Sequence, residues 1–328
     1  MRELIYQENA EQRLDKYLQK YLSLAPRSFL YKMLRKKNIV LNGKRADGSE
    51  KLQRGDVIRL FLAEETVEKF REEKKCDQYP YLPDLEIVYE DEQVLLLNKP
   101  AGMLSQKASP SDLSLNEYLV GYLLHSGQIS PSDLSGFTPG ICNRLDRNTS
   151  GLVLGAKTLA AAQKMGELLK NRRAEKYYLA LVRGNVACNQ RIRGWLVKNE
   201  KTNTVSVSRT YTEQGTPIET AWEPLSYGTD MTLLKVELIT GKTHQIRSHL
   251  AGIGHPLAGD TKYGNQEFNR YFRERYGLRS QFLHSWKISF PEMESPFERI
   301  SQKTVTAQPP ELFAGILRGE KMLDDSWN

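Results

Sequence analysis

Along the first sixty residues, apolar positions return at three- and four-residue intervals. Leu14, Tyr17, Leu18, Tyr21 and Leu22 fall on one face if the chain is helical, which predicts a helix over about 13–22. Pro26 opens a second helix, on which Phe29, Leu30, Met33 and Leu34 form the apolar stripe. Lys32, Arg35 and Lys36 occupy another face of it, with Arg27 and Lys37 at the ends. Ile39-Val40-Leu41 then runs into Asn42-Gly43, a strong signal for a type I′ hairpin, and Val57 to Leu60 after Gly55-Asp56 supplies a further strand. The pattern predicts a small α/β unit of two helices on a sheet over residues 1–62. Residues 63–80 are charged, lack a clear apolar period and end at Pro80, which predicts a linker. A single exposed helix is the competing reading, because Glu68, Arg71, Glu72 and Lys75 have helical pair spacing.

From about Leu85 the texture changes to short apolar runs punctuated by turns. Ile87 to Tyr89, Val94 to Leu97, Leu152 to Leu154, Tyr178 to Val182 and Leu233 to Leu238 read as strands, with helices predicted between them at about 114–124, 158–170 and 244–252. Thr158 is placed to cap the second of these and Thr243 the third. The order is mixed and not strictly alternating. The expectation is therefore an α+β domain over 81–328, built on a mixed, largely antiparallel sheet flanked by helices and loops.

Charge sharpens this division. The chain carries a net +7 over 328 residues. Residues 1–62 hold 14 Lys or Arg against 7 Asp or Glu, so this short segment contains the whole excess and the remainder is neutral. A compact basic module ahead of a balanced larger one suits a polyanionic partner, RNA above all, although a lysine-rich solvated face gives the same count. No apolar stretch approaches the length of a membrane span, and the amino terminus lacks the apolar core of a signal peptide. Cys76, Cys142 and Cys188 are odd in number and widely spaced, which argues against a disulfide framework and against a cysteine zinc site. A reducing, cytoplasmic setting is expected, with no membrane partner and a monomeric chain.

The candidate chemistry lies in Asn143-Arg144-Leu145-Asp146-Arg147-Asn148-Thr149-Ser150-Gly151, a polar loop entering the strand that starts near Leu152. Asp146 sits between two cations, a setting that suits a nucleophilic carboxylate, and equally a surface ion pair. Other signals read as structure. His244, His249 and His255 have spacings of five and six, unlike a helical zinc pair, and are expected to form a hydrogen-bonded structural cluster with no metal. Ser150 is not in a nucleophile elbow and suits a turn or cap. Lys99-Pro100 reads as a rigid strand end.

The motifs Arg144-Leu145-Asp146-Arg147 with Thr149-Ser150-Gly151-Leu152, preceded by Asn98-Lys99-Pro100-Ala101-Gly102, resemble those of the RluA-type family of RNA pseudouridine synthases. So do Lys176 to Gly184, Thr240 to Leu250 and Gly259 to Gly264, which follow in the family's order. The segment from Arg13 to Ile58 is similar to the ribosomal protein S-four type of RNA-binding domain. The resemblance implies a pseudouridine synthase fold and the isomerisation of specific uridines in structured RNA, ribosomal RNA before transfer RNA, without cofactor. It assigns the catalytic carboxylate to Asp146, its guanidinium partner to Arg247 and the base-stacking tyrosine to Tyr178. RNA contacts are expected from Arg27, Lys32, Arg35, Lys36 and Lys37, with Arg144 and Arg147 beside the nucleophile. Asn143 and Asn148 depart from the commonest family pattern, where His and an acidic residue are frequent, and bear on target choice. The alternatives are an RNA-binding or ribosome-assembly protein without catalysis, and a glycosidase. The glycosidase would need a second carboxylate, and none accompanies Asp146.

Overall fold

Two main sheets of very different size, beside a small two-stranded one, organise the described residues of the computed structural model, 1–71, 78–199 and 204–322. The smaller has four antiparallel strands in the order Arg2–Ile5, Val57–Leu60, Ile39–Leu41, Lys44–Arg45. Asn42 and Gly43 turn the last hairpin with φ of 49° and 72°, the pair of positive values that a type I′ turn requires. Helices Leu14–Tyr21 and Arg27–Arg35 lay their apolar stripes on this sheet. Leu14, Leu18, Leu30 and Leu34 join Ile39, Leu52 and Ile58 in one buried core.

The stretch expected as a linker begins as part of that core. Glu64–Phe70 is a helix, and it is not an exposed one: Val67 is fully buried and Phe70 packs on Phe29 with ring centroids 4.6 Å apart. One apolar contact per turn was enough to dock it, too few to register as a period in a charged segment. Glu72 and Lys75 lie outside the described residues.

The larger sheet has eleven strands. Nine follow the order Thr204–Ser208, Gln190–Asn199, Thr216–Gly228, Met231–Leu238, Glu175–Arg183, Leu283–Ser289, Ser150–Ala156, Val94–Lys99, Ile87–Glu90. Every pairing is antiparallel except Ser150–Ala156 with Leu283–Ser289, so the sheet is mixed and largely antiparallel, as expected. Both faces of its centre are covered. Leu95, Leu97 and Val153 pack under helix Leu115–His125, while Val94, Leu96, Leu152 and Leu154 pack under helix Leu159–Lys170. This is why those strands read as unbroken apolar runs. The Thr158 hydroxyl does cap its helix, accepting from the Ala161 amide at 3.1 Å.

The parallel contact depends on Gly151. Its φ is +108°, and a Cβ there would lie 2.2 Å from the Ser285 carbonyl oxygen. The chain after Asp146 is thereby drawn against the strand that follows Leu283. Two helices escaped the sequence reading. Gln266–Tyr276 is highly charged and buries Phe268 and Phe272, one turn apart, and Glu311–Gly319 packs on the same cluster through Phe313, Ile316 and Leu317. No described helix is long and apolar enough to cross a membrane.

Candidate active site

Residues 143–149 have no ladder or helix to shape them, so side chains do it. Asn143 Oδ1 accepts the Leu154 amide at 2.8 Å. The Ser105 hydroxyl bonds both the carbonyl and the amide of Leu145, at 2.8 and 3.0 Å. Gln281 donates to Thr149 Oγ1 at 3.1 Å. The strongest tie is Lys99, whose side chain is wholly buried. Its Nζ donates to the carbonyls of Pro100, Met103 and Arg147 at 2.9, 2.8 and 3.0 Å. Burial lowers its pKa to about 7, with the charge of Asp146 opposing the fall. Lys99 is more than a strand end: it fastens the Asp146 loop to the neighbouring strand.

Asp146 is thus presented to a cleft lined by Arg144, Thr149, Tyr178, Leu238, His244 and Arg247, among others. Arg247 Nη1 donates to Asp146 Oδ2 at 2.9 Å, across 101 positions of sequence. The guanidinium comes from helix Gln245–Gly252, and its other edge is occupied. Nε and Nη2 donate to the two oxygens of Asp260 at 2.7 and 2.9 Å. Asp260 is itself fully buried and accepts the amides of Lys262 and Tyr263. Burial disfavours both charges, but their mutual bonds more than offset it, so the pKa of Arg247 is raised and that of Asp260 lowered. The fork locked on Asp260 leaves a single N–H pair aimed at Asp146, which fixes the carboxylate by one oxygen.

Tyr178 walls the cleft from strand Glu175–Arg183. Burial pushes its phenol up to about 12, Ser285 pulling the other way and Asp146 adding to the rise, so it is a neutral phenol at physiological pH. Its neighbour Tyr177 belongs to the opposite face, where its hydroxyl donates to Glu175 at 2.7 Å. The Lys-x-Tyr spacing therefore selected the tyrosine that faces Asp146. The cleft is a narrow slot of about 60 Å³. Arg144 and Lys242, both exposed, stand at its wall.

The three histidines do not form the cluster expected. His249 Nδ1 bonds Thr220 Oγ1 at 3.0 Å and His255 Nδ1 bonds the Arg183 carbonyl at 2.9 Å, while His244 turns into the cleft with Nε2 3.8 Å from Asp146 Oδ2. Residues spaced along one helix and its exit point in different directions, so common sequence locality did not make them neighbours. Nor does Thr243 cap this helix. The capping position is His244, in the left-handed region with φ 55° and no side-chain cap. Ser150 is not the turn or cap expected: it opens strand Ser150–Ala156, buried, with its hydroxyl bonded to His284 Nδ1 at 2.9 Å.

Of the cations singled out, Arg144 lines the cleft, whereas Arg147 turns its Nε to the Gly102 carbonyl at 3.0 Å and helps close the loop. Arg27, Lys32, Arg35, Lys36 and Lys37 are all exposed on the N-terminal module, away from the cleft lining. Sequence reasoning missed Asp260 and Tyr263 and set aside Lys99 and His244. The only signal for them was their place inside motifs already noticed.

Comparison with known proteins places this site in a family. Residues 93–252 match the family described as RNA pseudouridylate synthase, and residues 12–58 match the S4 domain. The chain is 33% identical over 304 residues to ribosomal large subunit pseudouridine synthase C of Vibrio cholerae, covering 90% of each chain. It is also 33% identical to the Escherichia coli protein of that name, covering 86% of each. Human RNA pseudouridylate synthase domain containing 4 superposes with a TM-score of 0.59 at 20% identity, over 73% of this chain and 94% of that one, which speaks for the fold. The chain belongs to the RNA pseudouridine synthase family. It is an RNA pseudouridine synthase with an S-four type RNA-binding module at its amino-terminal end.

Proposed function

We propose that this enzyme isomerises uridines of ribosomal RNA, with Asp146 opening the bond between ribose C1′ and uracil N1. The target class is that of its relatives, the ribosomal large subunit pseudouridine synthases C. The observation that carries the catalytic assignment is the pairing of Asp146 with Arg247 at 2.9 Å in a cleft also walled by Tyr178. When C1′–N1 breaks, its electron pair leaves with the uracil. Asp146 acts either by bonding to C1′ or by taking a proton from the adjacent ribose carbon. The base then turns and C5 bonds to C1′ as the Asp146–C1′ bond breaks or, on the second route, as Asp146 returns the ribose proton; the C5 proton is lost and N1 gains one, so composition is unchanged. Arg247 holds the carboxylate in one orientation, and the ring of Tyr178 supports the turned base in place of its lost stacking neighbours. Arg144 and Lys242, exposed at the wall of the slot, are placed to meet the phosphates of an entering nucleotide.

The N-terminal unit grips the RNA through Arg27, Lys32, Arg35, Lys36 and Lys37, and Arg144 meets it at the cleft mouth. Helix Glu64–Phe70 is counted with this unit, because its buried residue packs in the N-terminal core. The test is mapping of pseudouridine in ribosomal RNA by reverse-transcription stops after carbodiimide treatment. RNA from cells carrying only Asp146→Asn is expected to lose the enzyme's stops. An unchanged stop pattern refutes the reading.

A further inference from the structure

We infer that His244 is a further catalytic residue, whose Nε2–H donates to uracil O2 as the glycosidic bond breaks. The inference rests on the reading of Asp146 as the group acting beside C1′. Three observations carry it.

The first is reach. His244 lines the cleft, and its Nε2 stands 3.8 Å from Asp146 Oδ2, beyond hydrogen-bond distance. The N–H is close to the reacting carboxylate but not consumed by it. The carbonyl O2 is attached next to N1 and so lies beside C1′. A carboxylate addressing C1′ brings O2 toward the same corner of the cleft.

The second is the tautomer. The Val205 amide donates to the Tyr263 hydroxyl oxygen at 2.9 Å, and that hydroxyl lies 2.9 Å from His244 Nδ1. With one lone pair of the phenol oxygen taken by the Val205 amide, the phenol O–H is placed to donate to Nδ1. The phenol therefore donates to Nδ1, and the imidazole proton sits on Nε2, facing the cleft. The nearby Asp146 anion favours the same tautomer. Burial lowers the His244 pKa, Asp146 opposes this, and Arg247 and Lys262 add to the fall, so the ring is neutral at physiological pH. A neutral imidazole N–H is a competent donor to a developing oxyanion.

The third is backbone strain. His244 is held at φ 55° and ψ 17° at the start of helix Gln245–Gly252, a conformation uncommon for residues with a side chain. Such strain persists where the surroundings enforce it and concentrates at functional sites. Here it accompanies a ring turned into the cleft and not outward.

The contact from His244 adds no proton transfer of its own. Whether Asp146 bonds C1′ or removes the neighbouring ribose proton, the electron pair of C1′–N1 moves onto the uracil ring, and part of that charge resides on O2. A hydrogen bond there strengthens as the bond breaks and relaxes once C5 has reattached. The donor acts in the transition state more than in the bound substrate.

The test is a cycle between protein and substrate under single-turnover conditions, with full-length enzyme and an RNA carrying either uridine or 2-thiouridine at the modified position. Sulfur is a weak acceptor, so the wild-type enzyme is expected to slow by tenfold or more on the thio substrate. His244→Phe is expected to lose about 10²- to 10³-fold on uridine and to show little further loss on 2-thiouridine. His244→Gln, which keeps an N–H at similar reach, is expected to recover at least tenfold of that loss. Equal thio effects in wild type and His244→Phe overturn the proposal, as does a full rate for His244→Phe; if His244→Phe fails to fold, a His244→Gln enzyme that turns over with no thio effect overturns it. Asp146→Asn run alongside separates the two readings. If it is inactive while His244→Phe turns over normally, only the role of His244 falls. If Asp146→Asn itself turns over, the underlying assignment falls first.

Discussion

The same arginine–aspartate fork occurs twice among the described residues, in opposite surroundings. In the N-terminal module Arg13 clasps Asp15 with two bonds of 3.0 Å while its own side chain is half exposed. In the catalytic region Arg247 clasps Asp260 at 2.7 and 2.9 Å with both groups buried. Water competes for the first pair and makes it worth little. Nothing replaces the second, and removing one partner strands a buried charge. The contrast extends to the cations around them. Those of the N-terminal helices remain at the surface, available to a polyanion, whereas Arg247 and Lys99 are enclosed and spend their donors on positioning one carboxylate loop.

Breaking the two forks in parallel should give the largest difference. Asp260→Asn is expected to cost about 3 to 5 kcal/mol of stability and to slow single-turnover isomerisation about 10²-fold through misplacement of Asp146. Urea unfolding and rate measurements check both, and a wild-type rate would show that Arg247 needs no anchor. Asp15→Asn should shift stability by only about 1 kcal/mol. A somewhat smaller effect separates the regions on acidification. Burial holds His249 and His284 at about 4, the Ala307 carbonyl partly opposing this for His284, and both belong to the larger region. Their folded values lie below the unfolded one, so the unfolded chain binds more protons as pH falls. Stability from this source is complete above about 6.5 and lost toward pH 4, by about 3 kcal/mol per histidine at the limit. His284→Gln should flatten the decline of unfolding free energy across that window, and an unchanged slope would remove the residue from the account. The smallest change in stability should come from Lys32→Gln, Arg35→Gln and Lys36→Gln together, within about 0.5 kcal/mol. The same variant should reduce the slope of log affinity for RNA against log salt by up to about 2. An unaltered slope would mean that RNA does not touch that helix face.

What the chain disclosed in advance follows from the same contrast. The N-terminal helices were legible because one face is apolar and the other charged, the pattern water imposes on a surface helix. Asp146, Arg247 and Tyr178 were legible through the motifs carrying them. Lys99, Asp260 and His244 were not, because a charged or titratable residue ordinarily faces solvent, and only the closing of the fold shows that these do not. The docking of helix Glu64–Phe70 and the strand Thr216–Gly228 escaped for another reason. The first has one buried contact to announce it, and the second is broken by a bulge between Pro224 and Ser226 that interrupts alternation.

The claim at the centre is that the Asp146 carboxylate frees uracil from its ribose. Reattachment through C5 releases the hydrogen at that carbon, so RNA labelled with tritium at uracil C5 reports the event directly. With enzyme in excess, the wild-type protein should release the label to water, and Asp146→Asn should release none above the rate in buffer while still binding the RNA. Release by Asp146→Asn within tenfold of wild type would contradict the account.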